Sequence, residues 1–363
     1  MAYKVISFYK YIDLDIDLEN PNNLYENIRN ICKADSILGR ILIGKEGING
    51  AVSGTEENIV KFKKEIMSDP RFSDLTFREQ YCERTAYHKL VVRLRNEIVV
   101  LGAHADIINK GKHISPEELN ALYKNNEDFV ILDARNEYEY KLGKFKDAVG
   151  LPIKSFREFP DVVSNLENIK SKKIVMYCTG GIRCEKSSAF LRENGFKEVF
   201  QLEGGIINYI NHFPEGYWEG GLVVFDDRRV SKVGKAVTHC ELCGSSSDDF
   251  INCNNMDCDR SFVSCINCQE KMHKTCSDTC KNAPRQRAKR KELIGIVENY
   301  YIQPKVALIK VHDKVEAKKI IFEGRTTKVF EQKIEKIEEH DNNLITIPVD
   351  KRVRKNDKVF VYL

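Results

Sequence analysis

A multidomain chain of mixed class is expected, with α+β, α/β, cysteine-rich and small all-β parts in that order. Three observations carry this expectation. Strands and helices follow the order βαββαβ up to residue 103, then alternate strand with helix from 114 to 220. Eight of the twelve cysteines crowd into 240 to 280. Short strands divided by turns fill 292 to 363. A chain of 363 residues also exceeds what one ordinary core supports.

In residues 1–103, KVISFYKY reads as a strand, and Leu24 to Cys32 as a helix with Leu24, Ile28 and Ile31 on one stripe. GRILIGKEGINGAVSG reads as two strands around a Gly-rich turn. Glu56 to Met67 is a second helix, with Ile59, Phe62 and Ile66 inward, and HKLVVRLRNEIVVLG closes the unit with strands. The order predicts a ferredoxin-like sandwich. Arg40, Lys45, Arg84, His88, Lys89, Arg93 and Arg95 line either a basic sheet face or a solvated edge.

In residues 114–220, ISPEELNALY opens with Ser115 as N-cap, Pro116 at N1 and Glu118 at N3, a capping box. FVILDAR and KKIVMYC are buried strands. Glu185 to Asn194 is a helix stopped by Gly195, EVFQL is a third strand, and EGGI leads into a last helix. This is an α/β domain on a parallel sheet. Residues 221–238 read as a linker. In 292–363, ELIGIVENYY, KVALIKVH, AKKIIFEG, LITIPVD and KVFVYL make a small β-barrel.

Composition bounds the function. Hydrophobic residues at 42% and charged residues at 31% describe a soluble globular protein. No apolar run of about 18 residues predicts a membrane span. MAYKVISFYKYIDLD holds no apolar signal core, so a cytoplasmic protein is expected. A net charge of +4 does not by itself require a nucleic-acid partner. Lys281 to Lys291 carries six basic residues and no acid, which suits a solvated linker or an arm that touches a polyanion.

The stretch YCTGGIRC carries chemistry. Cys178 follows a buried strand and Cys184 begins a helix. A loop at the carboxyl end of a parallel strand is where open α/β sheets place ligands. Gly180 and Gly181 let the backbone curl so that amides converge. Those amides, the helix start and Arg183 favour a thiolate at Cys178 over a buried, inert thiol.

LDARNEYEYKLGKFKDAVGLP, CTGGIR and LEGGI together resemble a rhodanese domain, through Asp133, Arg135, Glu137, Tyr138, Gly143, Ala148, Pro152, the Cys178 loop and Leu202 to Ile206. That resemblance implies a persulfide-carrying cysteine at position 178, with Asp133 and Arg135 in supporting roles. Phosphatases of similar fold use a longer loop than the four residues between Cys178 and Arg183. GKEGINGAVSG, then YCTGGIRCEKSSAFL, then the cysteine-rich tail resemble the rhodanese-domain tRNA uridine 5-hydroxylases over roughly residues 1 to 280. This resemblance implies hydroxylation of the wobble uridine in the tRNA anticodon loop, with molecular oxygen as co-substrate. Cys178, Arg183 and Cys184 are then the catalytic candidates. Cys178 would add to the base, and Cys184 would resolve an oxidised Cys178. A sulfurtransferase acting through a Cys178 persulfide shares the same loop and is the alternative. A zinc-bearing RNA-binding adaptor with a vestigial loop is the non-enzymatic reading.

The cysteine-rich segment supplies Cys240-x2-Cys243, Cys253-x4-Cys258, Cys265-x2-Cys268 and Cys276-x3-Cys280. Eight thiolates in close pairs suit two tetrahedral zinc sites, with an iron–sulfur cluster and scattered free thiols as alternatives. His239 and His273 could each replace a cysteine as ligand, but are expected to be neighbours. The spacing does not reveal which pairs share an ion. Arg260, Lys271 and Lys274 are candidate RNA contacts. Residues 292–363 resemble the small barrel of translation factors, through Gly324, Arg325, Thr326, Thr327 and the terminal strand. That resemblance implies an RNA-facing appendage; a stabilising or protein-binding barrel is the alternative.

Overall fold

The computed structural model describes residues 3–15, 23–287, 291–312, 315, 317 and 319–362. Residues 1–283 form one compact unit and 284–363 a second. Part of the basic segment 281–291, residues 288–290, lies outside the described residues.

The first unit opens with β1 (Tyr3–Tyr11), α1 (Asn23–Ala34), β2 (Leu38–Gly44), β3 (Gly47–Thr55), α2 (Glu56–Met67), β4 (Phe77–Cys82) and β5 (Leu90–Leu94). The sheet order is β4-β1-β3-β2-β5, antiparallel except for β2 with β5. Period-2 patterning sorts β1 into two faces. Ile6 and Phe8 pack with Ile59, Phe62 and Ile66 of α2, whereas Val5, Ser7 and Tyr9 point to the opposite side. The stripe of α1 runs through Leu24, Ile28 and Cys32, all buried, with Ile31 only partly so. Thr55 caps α2 by accepting from Asn58 N at 3.3 Å.

One expectation is corrected. The fourth strand of the sandwich is Phe77–Cys82, and of HKLVVRLRNEIVVLG only Leu90–Leu94 is a strand. Beyond it the backbone is claimed by side chains instead of a ladder: Ile98 N donates to Glu46 Oε1 at 2.6 Å, and Asn49 Nδ2 donates to Ile98 O at 3.0 Å.

The α/β part contains β6 (Lys112–Ile114), α3 (Pro116–Lys124), β7 (Val130–Asp133), α4 (Glu137–Leu142), β8 (Gly143–Phe145), α5 (Phe159–Val162), β9 (Lys173–Tyr177), α6 (Ile182–Glu193), β10 (Glu198–Leu202) and α7 (Gly205–His212). The capping box at Ser115 is present, with Glu118 N donating to Ser115 Oγ and Ser115 N to Glu118 Oε2. The parallel sheet runs β6-β10-β9-β7. Two-stranded ladders follow: β11 (Trp218–Gly220) on β8, and β12 (Leu222–Val223) on β13 (Val230–Ser231). The cysteine-rich part is a hairpin of β14 (Phe250–Asn252) and β15 (Ser261–Val263) with α8 (Ile266–Lys271) and α9 (Asp278–Lys281).

The second unit is a seven-stranded curled sheet, a half-barrel. Its strands are β16 (Lys291–Tyr301), β17 (Val306–Val311), β18 (Lys319–Glu323), β19 (Phe330–Lys333), β20 (Glu338–His340), β21 (Leu344–Pro348) and β22 (Lys358–Tyr362), in the order β19-β18-β22-β16-β17-β21-β20. Val297, Ile309, Phe322, Ile347 and Val359 fill its inside. The curl brings the first strand toward the far side, where Gln332 Nε2 donates to Pro348 O at 2.8 Å. Among the described residues, no helix is long and apolar enough to cross a membrane.

Candidate active site

Cys178 stands one residue beyond β9, at the carboxyl end of the parallel sheet. The loop that follows turns back into α6 through Gly181, whose φ is +100°. A side chain there would be strained, and its Cβ would also lie 2.8 Å from Tyr9 Oη of the N-terminal sheet. The turn brings Gly181 N to Cys178 Sγ at 3.1 Å. Gly205 of the LEGGI motif (φ +66°) lets α7 slide beneath the loop, since a Cβ there would lie 2.4 Å from Cys178 O. Ile206 N and Ile207 N then donate to Cys178 O and Thr179 O at 3.0 and 3.2 Å. The two glycine motifs are therefore one construction.

Cys178 is 1% exposed and lines a cavity of about 400 Å³. Burial pushes its thiol pKa up. The Cys184 thiol, the Arg183 charge and the backbone N–H groups of Arg183 and Cys184 outweigh burial and bring it down to about 6. The anion is thus the resting form at neutral pH. Alkylation of Cys178 by iodoacetamide is expected to rise about tenfold per pH unit on the acid side and to level off above about pH 6. Cys184→Ala is expected to move the midpoint upward. A midpoint near that of a free thiol in the intact protein would contradict the loop's role.

Arg183 is not free to grip a ligand. Its guanidinium makes a buried fork with Glu139, at 2.7 Å from Nη1 and 2.8 Å from Nη2, and Asn136 N donates to the same carboxylate. Asp133 and Arg135 form a second buried pair, with Arg135 Nη2 also donating to Gly143 O at 2.6 Å. Cys184 lies in the apolar core behind the loop and does not line the cavity. Burial, with the Cys178 charge adding to it, pushes its thiol pKa well up.

The rest of the cavity comes from parts that sequence reasoning treated as scaffold. The open face of the N-terminal sheet contributes Val5, Ser7, Tyr9 and Arg78, and the supposed linker contributes Phe225 and Arg228. None of the seven basic residues singled out in that domain lines it. Two residues directly after Cys184 lock the domains together. Tyr9 Oη donates to Glu185 Oε1 at 3.0 Å. Lys186 Nζ meets Glu46, Glu97 Oε2 and Val99 O at 2.7–3.0 Å. Glu46 sits inside GKEGING, so the two quoted motifs meet physically.

Away from the cavity, the eight cysteines separate into Cys240, Cys243, Cys265 and Cys268, and Cys253, Cys258, Cys276 and Cys280. The four ligand atoms of each set lie within 4.8 Å of one another. Cys243 and Cys265 sulfurs are 3.7 Å apart, as are those of Cys258 and Cys276. A tetrahedron with metal–sulfur bonds of about 2.3 Å has edges of about 3.8 Å, so both sets fit. The hairpin explains the interleaving. Cys253 N pairs with Arg260 O at its turn end, while Cys265 follows β15 at its open end. Those ends are about 15 Å apart at strand rise, too far to share one ion. Arg260 pairs with Glu241.

Residues 3–98 match the family described as UPF0176 acylphosphatase like domain, 115–212 the Rhodanese-like domain, and 219–281 the Rhodanase C-terminal family. Among curated proteins, the chain is 41% identical over 292 residues to the tRNA uridine(34) hydroxylase of Cytophaga hutchinsonii, covering 78% of this chain and 92% of that one. The chain belongs to the tRNA uridine(34) hydroxylase family. Members from Chlamydia trachomatis serovar L2 (40% over 279 residues; 74% of this chain, 85% of that one) and Staphylococcus haemolyticus (40% over 298 residues; 79% and 91%) are similar to it.

Proposed function

We propose that this protein hydroxylates the wobble uridine of tRNA at C5, with molecular oxygen as co-substrate, in the cytoplasm. The observation that carries this reading is the depressed-pKa thiol of Cys178 at the wall of an aromatic- and arginine-lined cavity of about 400 Å³, in a chain of this family. Pockets of that size suit a small ligand such as a nucleoside. A sulfurtransferase acting on RNA would need the same room, so family membership, not the cavity, favours the hydroxylase.

In this reading the Cys178 thiolate adds to C6 of the flipped base, forming a C6–S bond and moving the C5–C6 electron pair toward C5. C5 then takes up oxygen. Loss of the C5 proton and departure of the thiolate restore the double bond. Uridine, one oxygen molecule, two electrons and two protons give 5-hydroxyuridine and one water, with a cellular thiol reductant as electron source. Where a peroxide oxidises Cys178 to sulfenic acid outside this cycle, with its O–O bond cleaved, Cys184 captures it as a disulfide, releasing water, and two electrons from the thiol reductant restore both thiols. Arg183, locked to Glu139, steadies the loop. Mass spectrometry of tRNA nucleosides from cells with and without this protein tests the reading. Loss of 5-hydroxyuridine and its derivatives is expected without it, and an unchanged nucleoside profile would remove it.

The two cysteine sets hold structural zinc in this reading, and the half-barrel serves as an RNA-facing appendage. Metal analysis of the purified protein is expected to give two zinc equivalents per chain. Iron in place of zinc would overturn that assignment.

A further inference from the structure

Phe225 sits in the loop between β12 and β13 with its ring turned outward. Val224 before it is buried, and the Asp226 side chain after it is only 2% exposed, yet Phe225 is 59% exposed. Solvation alone would put the carboxylate outside and the ring inside.

The loop is braced on both sides of the ring. Val224 N donates to Arg229 O at 2.9 Å, and Asp227 N donates to Ala86 O at 2.8 Å. Arg228 forks onto the Asp226 carboxylate, from Nε at 3.0 Å and Nη2 at 2.6 Å, and Nη2 also donates to Gln80 Oε1 at 3.3 Å. His88 Nδ1 meets Asp227 Oδ2 at 2.8 Å. An exposed ring on a fixed support is the build of a stacking platform. It also stands beside the reacting loop. Phe225 lines the same cavity as Cys178, and the Arg183 guanidinium carbon lies 5.7 Å from its ring centre.

The charge of the cavity suits a polyanion. Four arginines line it against one acid, Asp226. Arg183 and Arg228 are paired with Glu139 and Asp226, and Arg78 lies over the Tyr9 ring at 4.7 Å. Arg157 is exposed, and among the described residues no carboxylate pairs with its guanidinium. Its backbone is held in the short turn Phe156–Glu158. Phe156 packs into the core there. Gly102 (φ +89°) approaches so closely that a Cβ would lie 2.4 Å from Arg157 O. A residue that both lines the cavity and meets solvent stands at its rim. Phe225 and Arg157 both do. An open ring and an unpaired guanidinium around one cavity match the two parts of a nucleotide, a base to stack and a phosphate to pair.

We propose that Phe225 is the stacking platform for the base brought to Cys178, and that Arg157 pairs with a phosphate flanking that nucleotide. This inference rests on the proposed hydroxylation of uridine and assigns how the enzyme draws the nucleotide out of its loop. A flipped base loses its neighbours in the stack, and the Phe225 ring replaces one of them.

The test uses full-length protein without added reductant and synthetic anticodon stem–loop RNAs carrying uridine or an abasic ribose at the wobble position. Affinity is read by fluorescence anisotropy over a range of salt concentrations. The parent protein is expected to bind uridine RNA about tenfold more tightly than abasic RNA. Phe225→Ala should lose that factor on uridine RNA and nothing on abasic RNA, whereas Phe225→Trp should keep it. Arg157→Gln should weaken both RNAs alike and make the fall of log affinity with log salt shallower by about 0.7. Phe225→Ala should leave that slope unchanged. Both side chains are exposed, so thermal unfolding should stay that of the parent. Uridine RNA bound as tightly by Phe225→Ala as by the parent would overturn the platform. An equal loss on abasic RNA would overturn it too, making the ring a contact to another part of the RNA. An unchanged salt slope in Arg157→Gln would overturn the phosphate contact. Nucleoside mass spectrometry of the parent protein's product keeps the two readings apart. A protein that makes 5-hydroxyuridine but binds RNA without help from Phe225 or Arg157 refutes this inference alone. One that shows both effects but makes no 5-hydroxyuridine refutes the hydroxylation alone.

Discussion

Cys178→Ala is expected to lower 5-hydroxyuridine formation by a factor on the order of 10³ or more, because it removes the nucleophile itself. The fold should survive. Alanine fits where a small buried thiol sat, and the loop's architecture depends on Gly181, Gly205 and the bonds from Ile206 and Ile207 to the 178 and 179 carbonyls. Thermal unfolding of the variant should therefore stay close to that of the parent while the product disappears. Cys178→Ser should be nearly as inactive, since a serine hydroxyl at this position stays protonated where the thiol, brought to about 6, is ionised. The assay is nucleoside mass spectrometry on tRNA incubated with each variant. Undiminished product from Cys178→Ala would sink the assignment of the loop as the reacting centre.

Glu139→Ala is expected to destabilise the first unit by about 3–5 kcal/mol, because it strands the buried Arg183 charge. Both side chains are nearly excluded from solvent, and the Coulombic and hydrogen-bonding partners of Arg183 are concentrated on this one carboxylate. The same change frees Asn136 N and removes a charge three residues before the end of α4, so the loop should loosen as well as melt earlier. Replacing both partners, as in Glu139→Met with Arg183→Met, should restore much of the stability. It should not restore activity, because the arginine's charge also helps hold the Cys178 anion. Denaturant unfolding followed by tryptophan fluorescence is a direct measure, since Trp218, the chain's single tryptophan, is buried in this α/β core. A Glu139→Ala protein as stable as the parent would refute the view that this pair holds the loop.

Much of the site was legible because short motifs encode local backbone geometry. A cysteine at a strand end, two glycines and a helix start fix a tight amide-lined turn whatever surrounds it. The capping box at Ser115 and the core stripes of α1 and α2 are local in the same way, although Cys32 took the place expected of Ile31. Ser7, Arg78, Phe225 and Arg228 were not legible. Each lies in a strand or linker with no motif, and each reaches the cavity only because separate segments are folded onto one another. Arg78 illustrates the limit. Its strand was not recognised, since FREQYC is half-buried along nearly its whole length and lacks clean alternation.

The sequence by itself determined the class of each part, the position of the cysteine at the strand end and the number of close cysteine pairs, because periodicity and spacing act over a few residues. The tertiary structure alone decided which cysteine pairs share a site, that Glu139 takes the charge of Arg183, and that the N-terminal sheet closes over Cys178. Those outcomes depend on distances between segments far apart in the chain, set by a hairpin's length and by packing across domains, which residue spacing does not record.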